Sequence, residues 1–365
     1  MLGVPPMRTR SSLSATALRL LAPLFVTFLS AGCAADTDAD PAAVDEEMPP
    51  SDTIEAELSM PLWPSGKVAA LSISIDDNMP DDHAFWQSLG ARTGARFTWF
   101  VITDRVGRTG GGTWAGFRAL AQAGHEIGSH SALLHDMRAP SGNTPCYGAT
   151  LGGQRVVADY AASREAIRVG VGRAPTAIAY PCGTPHLGEA RSAGFAFARN
   201  VNGAGIVTAQ TVALNLPSMT EGQVSIDALV QKRTWGLTHF HYARETQRAR
   251  ASHLLASAAQ KGVWVAPVST VGKYVAERQA ARARVLEAVP ARVVLEVRDG
   301  LRDDVYDEPI EVELSVKAHW RGAHATQGGR AVPIELEPTP SGARVVVRAV
   351  PDRGPVVVVA SAGET

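Results

Sequence analysis

Between residue 68 and about residue 286, short apolar runs alternate with stretches of helical periodicity, and no other feature constrains the fold as much. Val68-Ala-Ala-Leu-Ser-Ile-Ser-Ile75 and Arg96-Phe-Thr-Trp-Phe-Val-Ile102 predict strands; the second is rich in β-branched and aromatic residues. Residues 124–128, 176–180, 234–242 and 263–267 predict four more. Helices are predicted over 83–89, 113–123, 152–169 and 244–259, and a last one from about 270 through 286. In 113–123, for example, Trp114, Phe117, Leu120 and Ala121 fall on one helical face. Such alternation demands a parallel sheet covered by helices, open or closed into a barrel. In these folds the chemistry gathers at the C-terminal ends of the strands.

After residue 290 the pattern changes. Residues 293–297, 310–316, 332–336, 343–349 and 355–360 read as strands separated by Gly, Pro and Asp turns, with no convincing helix. That predicts a small all-β sandwich. It holds no His or Cys cluster, so no catalysis is assigned to it.

The first 60 residues do not look like fold. Arg8 and Arg10 precede an apolar stretch, 18–29, which ends in Leu29-Ser30-Ala31-Gly32-Cys33. A basic start, a short apolar run and small residues describe a secretory signal, too short for a membrane span of ~20 residues. Small residues followed by Cys resemble the bacterial lipobox, which implies lipid on Cys33 after cleavage; plain secretion is the alternative. Residues 34–60 carry nine acidic side chains and no Lys or Arg, with Pro41, Pro49 and Pro50. This composition predicts a disordered acidic tether. The expectation is an exported protein, lipid-anchored to a bacterial membrane and facing the periplasm or cell exterior. The expected division is 1–33 signal, 34–60 tether, 61–287 catalytic domain and 288–365 β-sandwich. The formal net charge is −1 and no Lys/Arg run with interleaved aromatics occurs, so nucleic acid is not an expected partner. In an oxidising compartment Cys146 and Cys182 can form a disulfide, provided their Cα atoms come within ~4.4–6.8 Å.

Four clusters of chemical residues follow predicted strands. Asp76-Asp77 ends the first; adjacent carboxylates there suggest a held site, although Asp is also a common helix N-cap. His130 and His135 follow the third strand, and with an Asp from a neighbouring strand end they make an open Asp-His-His site suited to Zn²⁺ or another divalent transition metal. Tyr180-Pro181-Cys182-Gly183 follows another strand; its backbone N–H groups suit an oxyanion, or it is an ordinary turn. In Leu237-Thr238-His239-Phe240-His241, strand alternation puts both histidines on one face, where either serves as a general acid or simply packs.

In this order the clusters resemble the NodB homology domain of polysaccharide deacetylases, carbohydrate esterase family four. The resemblance rests on Ser74-Ile75-Asp76-Asp77, on Arg96-Phe-Thr-Trp-Phe-Val101, on Gly124-His-Glu-Ile-Gly-Ser-His130 and on Tyr180-Pro-Cys-Gly183, with weaker similarity at 263–275. It covers about 67–285. Three positions depart from the family pattern. His130 and His135 stand five apart rather than four, the supporting Arg of the third motif would fall at Ala179, and Cys182 replaces an aromatic. The resemblance implies a distorted (β/α) barrel in which Asp77, His130 and His135 bind the metal. Asp76 acts as general base, the Cys182 N–H stabilises the oxyanion, and His239 or His241 protonates the leaving group. The implied reaction removes acetyl groups from an acetylated polysaccharide, as amide or ester. Two alternatives stay open: a cyclic amidase or other C–N hydrolase on the same scaffold, and a non-catalytic carbohydrate-binding lipoprotein on a degenerate barrel.

Overall fold

The computed structural model describes residues 54–142 and 146–361. The expected signal segment, Cys33 and the tether up to residue 53 lie outside the described residues. The chain enters through β1 (Ala56–Ser59) and then builds the alternating unit. This runs β2 (Ala69–Asp76), α1 (His83–Thr93), β3 (Thr98–Val101), α2 (Trp114–Gln122), β4 (Glu126–Ser129), α3 (Gln154–Val171), β5 (Ala177–Ala179), α4 (Leu187–Ser192) and β6 (Phe197–Arg199). It continues with β7 (Met219–Thr220), α5 (Ile226–Lys232), β8 (Trp235–Phe240), α6 (Glu245–Gln260), β9 (Val263–Val265) and α7 (Val268–Ala280).

The strands of this sheet pair in parallel, in the order β6-β5-β4-β3-β2-β8-β7, with one isolated antiparallel bridge from Ile206 to Gly236 on β8. β3 pairs with the upper half of β2 and β9 with its lower half, Ala69–Leu71. All eight residues of β2 are buried, as expected of a central strand covered on both faces. The ends of the sheet are joined through Leu216, which donates its N–H to Ala198 O and accepts from Asn200 N–H, both at 2.8 Å. The following β7 pairs with β8. The sheet therefore closes into a distorted (β/α) barrel with helices outside. Gly128 shows how tightly it closes: a Cβ there would lie 2.6 Å from the Phe100 ring.

The remaining strands form two antiparallel sheets. They comprise β10 (Arg282–Val289), β11 (Arg292–Arg298), β12 (Ile310–Val316), β13 (Gly322–Gln327), β14 (Arg330–Val332), β15 (Ile334–Thr339), β16 (Gly342–Ala349) and β17 (Val356–Ser361). One sheet has the order β1-β12-β16-β15 and the other β10-β11-β17-β13-β14. Their inner faces are apolar: Val345, Val347, Val312, Leu314, Val356 and Val358 are fully buried, each worth about 1.5–3 kcal/mol relative to exposure.

Two expected boundaries are corrected. The helix expected through residue 286 stops at Ala280, and 282–289 is strand β10, so the sandwich begins before residue 288. Arg282-Ala-Arg-Val-Leu-Glu-Ala-Val289 has helix-forming residues, but it also alternates. Its hairpin pairing with β11 outweighs local propensity. The acidic tether expected to reach residue 60 also ends early, because Ala56–Ser59 pairs with β12 and turns Ala56 and Leu58 toward the core.

The sandwich meets the barrel at the N-terminal ends of the barrel strands. Trp63 donates its indole N–H to Arg233 O, just before β8, at 3.2 Å, and packs on Trp264, ring centroids 6.5 Å apart. Buried Glu311 on β12 accepts from Ser65 N–H at 2.7 Å and from Arg348 Nε at 3.1 Å. A single apolar cluster runs through both parts, from Trp63, Phe197 and Tyr274 to Leu295, Leu314 and Val358. Among the described residues no helix is long and apolar enough to cross a membrane.

Candidate metal centre and catalytic site

The side chains singled out in the sequence converge at the C-terminal ends of the strands. After Asp76 the chain turns through three consecutive left-handed residues, Asp77, Asn78 and Met79, with φ of 64°, 68° and 36°. Asn78 holds this turn. Its side chain accepts from Ile102 N–H at 2.8 Å and donates to Gly111 O at 2.8 Å and Ile102 O at 3.2 Å. Asp77 is thereby turned toward the two histidines. His130 Nε2 lies 3.7 Å and His135 Nε2 3.4 Å from Asp77 Oδ1. The three ligand atoms all fall within 4.8 Å of one another.

Both histidines are oriented from behind. His130 Nδ1 donates to Ala179 O at 2.9 Å, which leaves Nε2 free to ligate. His135 Nδ1 meets Asp136 Oδ1 at 3.1 Å, and Asp136 is gripped by Arg105 through bonds of 2.7 and 2.6 Å. Burial holds the His130 pKa below its usual range against the pull of Asp76, so its ring is neutral, as a ligand must be. Asp77 Oδ1 is buried with no hydrogen-bond partner. A buried carboxylate oxygen facing two imine nitrogens is costly without a cation. The donor set therefore fits Zn²⁺ or a similar divalent ion with an open coordination position.

The five-residue spacing of the histidines is absorbed in their loop. Ser131 takes a left-handed φ of 72°, and its hydroxyl accepts from His135 N–H at 3.2 Å. Asp159 on α3 accepts the N–H groups of Ala132, Leu133 and Leu134 at 2.9, 2.8 and 3.3 Å. No sequence signal marked Asp159, because its partners are backbone groups distant in the chain.

Asp76 is 1% exposed, and its Oδ2 is paired with Arg199, which is equally buried. Arg199 lies in register with Ala179 across the β5–β6 pair. The guanidinium absent from position 179 thus arrives from the neighbouring strand, 5.5 Å above the Phe100 ring centroid. Sequence reasoning missed Arg199, although a charged residue inside Phe197-Ala-Arg-Asn200 was a visible anomaly. Burial pushes the Asp76 pKa up, but the Arg199 guanidinium outweighs it and holds the carboxyl well below the usual range. Asp76 Oδ1 keeps only a 3.5 Å contact from Ser74 Oγ and has acceptor capacity to spare.

The two candidate acids differ in environment. His239, in β8, is 3% exposed, and its Nδ1 bonds Ser218 Oγ at 2.9 Å. Burial and then Arg199 push its pKa down to about 3, against the pull of Asp76. His241 lies just past the end of β8, with its side chain 37% exposed and its Nδ1 3.8 Å from Glu221 Oε1. The other Glu221 oxygen is buried without a partner. The two rings stand 5.5 Å apart, nearly perpendicular.

At the third cluster, Cys182 is joined to Cys146 by a disulfide with Cα atoms 6.1 Å apart. Cys182 takes a left-handed φ of 52° in the turn that follows β5. Tyr180 is a correction. It is fully buried among Tyr160, Phe195 and Leu214, with its hydroxyl donating to Leu214 O at 2.7 Å, and Pro181 is buried beside it. The apolar ring and its satisfied hydroxyl make Tyr180 core rather than substrate surface.

Residues 66–196 match the family model described as polysaccharide deacetylase. That segment contains Asp76, Asp77, His130, His135 and Cys182 but ends before Arg199, His239 and His241. The chain is 26% identical over 347 residues to a gellan lyase of Bacillus sp., a match covering 84% of this chain and 13% of that protein. The chain thus spans a small part of that relative's length. Among solved structures, a Mycobacterium smegmatis protein assigned as a polysaccharide deacetylase is 17% identical, covering 61% of this chain and 96% of that one, with a TM-score of 0.44. A family 4 carbohydrate esterase of Streptomyces lividans in complex with acetate is 16% identical, covering 55% and 92%, with a TM-score of 0.39.

Proposed function

We propose, from the premise that residues 66–196 form a polysaccharide deacetylase domain, that this protein is a divalent-metal-dependent hydrolase that removes acetyl groups from a glycan. The observation that carries the reading is the partnerless Asp77 Oδ1 facing two oriented histidines beside the buried Asp76–Arg199 pair.

Asp77, His130 and His135 would hold a divalent cation, which would supply Lewis acidity toward the acetyl carbonyl and the attacking water. Asp76 accepts the water's proton at Oδ1, while Arg199 holds Oδ2 and fixes the plane of the carboxylate. The Cys182 N–H, in the turn tied down by the disulfide, is the assigned donor to the developing oxyanion. For the proton that goes to the leaving nitrogen or oxygen, His241 is the better candidate. His239 is kept neutral by burial and Arg199, whereas His241 meets solvent and has Glu221 beside it. His239, anchored by Ser218, then lines the wall between base and acid.

Zinc loading followed by acetate release from acetylated peptidoglycan, chitin, xylan and bacterial exopolysaccharides tests the reading. The expected result is acetate from at least one, lost on chelation and lost in Asp77→Ala. Chain cleavage to unsaturated sugars without acetate would sink it in favour of a lyase. N- or O-linkage of the released acetyl group is read from whether a free amine appears on the product. Export on a lipid at Cys33 belongs to the same proposal and rests on residues 1–33 alone. Cys33→Ala should move the protein from the membrane to the soluble fraction, and an unlipidated Cys33 by mass spectrometry would refute the anchor.

A further inference from the structure

The disulfide between Cys146 and Cys182 joins two of the loops from which the site is built. Cys146 belongs to the loop that follows β4 and carries His135; Cys182 belongs to the turn that follows β5. On its own side Cys146 opens a short 3-10 turn, Tyr147–Thr150, that lies against the backbone beside the metal ligand. Gly148 in this turn donates its N–H to Met137 O at 3.3 Å, and a Cβ there would fall 2.1 Å from the carbonyl oxygen of Leu134, the residue before His135. A continuous path of contacts therefore runs from Cys182 through the sulfur bridge to Gly148, Leu134 and His135.

The turn needs such a path. Cys182 and Gly183 are both left-handed, with φ of 52° and 68°, and a residue with a Cβ keeps that conformation only where its surroundings impose it. Gly183 N–H donates to Tyr180 O and Thr184 N–H to Pro181 O, both at 3.1 Å. These bonds close the turn on itself and leave its orientation to its neighbours. On one side the neighbour is Val201, with a methyl 2.2 Å from where a Cβ on Gly183 would lie; on the other it is Cys146. Among the described residues the Cys182 N–H has no acceptor, as befits a donor kept for a ligand. Cys182 is exposed and Cys146 half-buried, so a small reductant reaches the bond.

We propose that Cys146 is a positioning residue: its disulfide sets the Cys182 N–H toward the metal triad, so that turnover requires the oxidised bond. This rests on the site's being a glycan deacetylase. The zinc-loaded full-length protein is assayed for acetate release before and after treatment with a trialkylphosphine, chosen over a dithiol because dithiols chelate zinc. Phosphorus attacks one sulfur, the other leaves as thiolate, and water completes the phosphine oxide and two thiols. Cys146→Ser and Cys182→Ser are assayed alongside, with zinc affinity by competition titration and amide exchange by mass spectrometry. A catalytic group misplaced by about 1 Å costs up to about 10²-fold. Reduction should therefore lower kcat about 10–100-fold, while KM and zinc affinity stay within about twofold. Oxidised glutathione should restore kcat by thiol–disulfide exchange. Both Ser variants keep the Cys182 N–H, yet should show the same low kcat, indifferent to the reductant. Exchange at Gly183 and Thr184 should rise in each low-activity form. Undiminished kcat after reduction would overturn the proposal. So would a parallel fall in zinc affinity, since the bond would then serve only to hold the ligand loop. If the wild type releases no acetate from any glycan, the deacetylase reading fails and exchange alone decides. Unchanged protection of 183–184 on reduction would then sink the strap, and faster exchange would uphold Cys146 as the residue that orders the turn.

Discussion

The two ends of the barrel differ in how much conflict they carry. Among the described residues ten non-glycine positions have a left-handed φ, and seven of them, Asp77, Asn78, Met79, Ser131, Cys146, Cys182 and Glu221, lie in loops that follow the C-terminal ends of strands. The sandwich has only Asp352. Every buried side-chain polar atom without a partner, among the described residues, lies in the barrel part, and Asp77 Oδ1, Arg199 Nε and Glu221 Oε2 lie at or beside the site. At the opposite end two buried charges are matched, Lys273 with Asp307 at 2.6 Å and Glu311 with Arg348 at 3.1 Å, while buried Glu277 takes a backbone N–H instead of a countercharge. On the proposed reading, the strain and the unpaired polar groups at the site persist because a cation or substrate would supply the missing partner. The sandwich end has no such partner to wait for and is built as continuous core.

The largest effect expected at the conflicted end comes from Asp76→Asn, which removes the proposed base but keeps shape and Arg199's neighbour. Activity on the responsive polymer should fall by about 10²–10⁴ with metal still bound. Near-wild-type turnover would reduce Asp76 to a partner for Arg199 and erase the functional half of the comparison. At the core end, Leu314→Ala opens a fully buried position on β12. It should cost about 2–5 kcal/mol in urea unfolding, with zinc affinity unaltered. A matching loss of zinc affinity would show that the two ends are energetically one.

Asp136→Asn sharpens the comparison within the site. It weakens the buttress that turns His135 toward Asp77, and zinc affinity by competition titration should fall about 10–100-fold. Retained affinity would mean that the loop held by Asp159 and Ser131 positions His135 alone. An effect confined to high pH is expected at Glu277 on α7, which is fully buried and accepts Glu308 N–H at 3.1 Å. Burial, then the negative charges of Asp299, Glu308 and Asp307, pushes its pKa up to about 9. The folded state therefore holds a proton that the unfolded chain releases near pH ~4.3. Its contribution to stability is full below that pH and declines as pH rises toward 9. Thermal unfolding should show Glu277→Gln with a higher Tm than wild type at pH 9 and little difference at pH 5. Parallel curves would mean that Glu277 titrates alike in both states.

The legible parts of this chain were those written in short segments. The strand ends at Asp76-Asp77 and His130 were visible because apolar runs stop there at charged or imidazole residues, and the sandwich because its strands alternate between turns. Arg199 was not legible as the partner of Asp76, since 123 residues separate them and only the β5–β6 register brings the guanidinium beside position 179. Tyr180 looked like a site residue from its motif, but Leu214 O was waiting for its hydroxyl.

By itself the sequence determined the class of fold and the chemical types available: a periodic alternation that must close over a parallel sheet, and carboxylates and imidazoles at the ends of its strands. Those follow from local pattern, because burial of apolar faces is specified residue by residue. The tertiary structure alone decided which of those groups meet. It brought Arg199 to Asp76, Asp136 and Arg105 behind His135, Ser218 to His239 and Glu221 to His241. It also made strand of 282–286, where helix was expected. Each of these depends on register and crossing of distant segments, where the energy lies in long-range pairing and in the desolvation of charges that no local window contains.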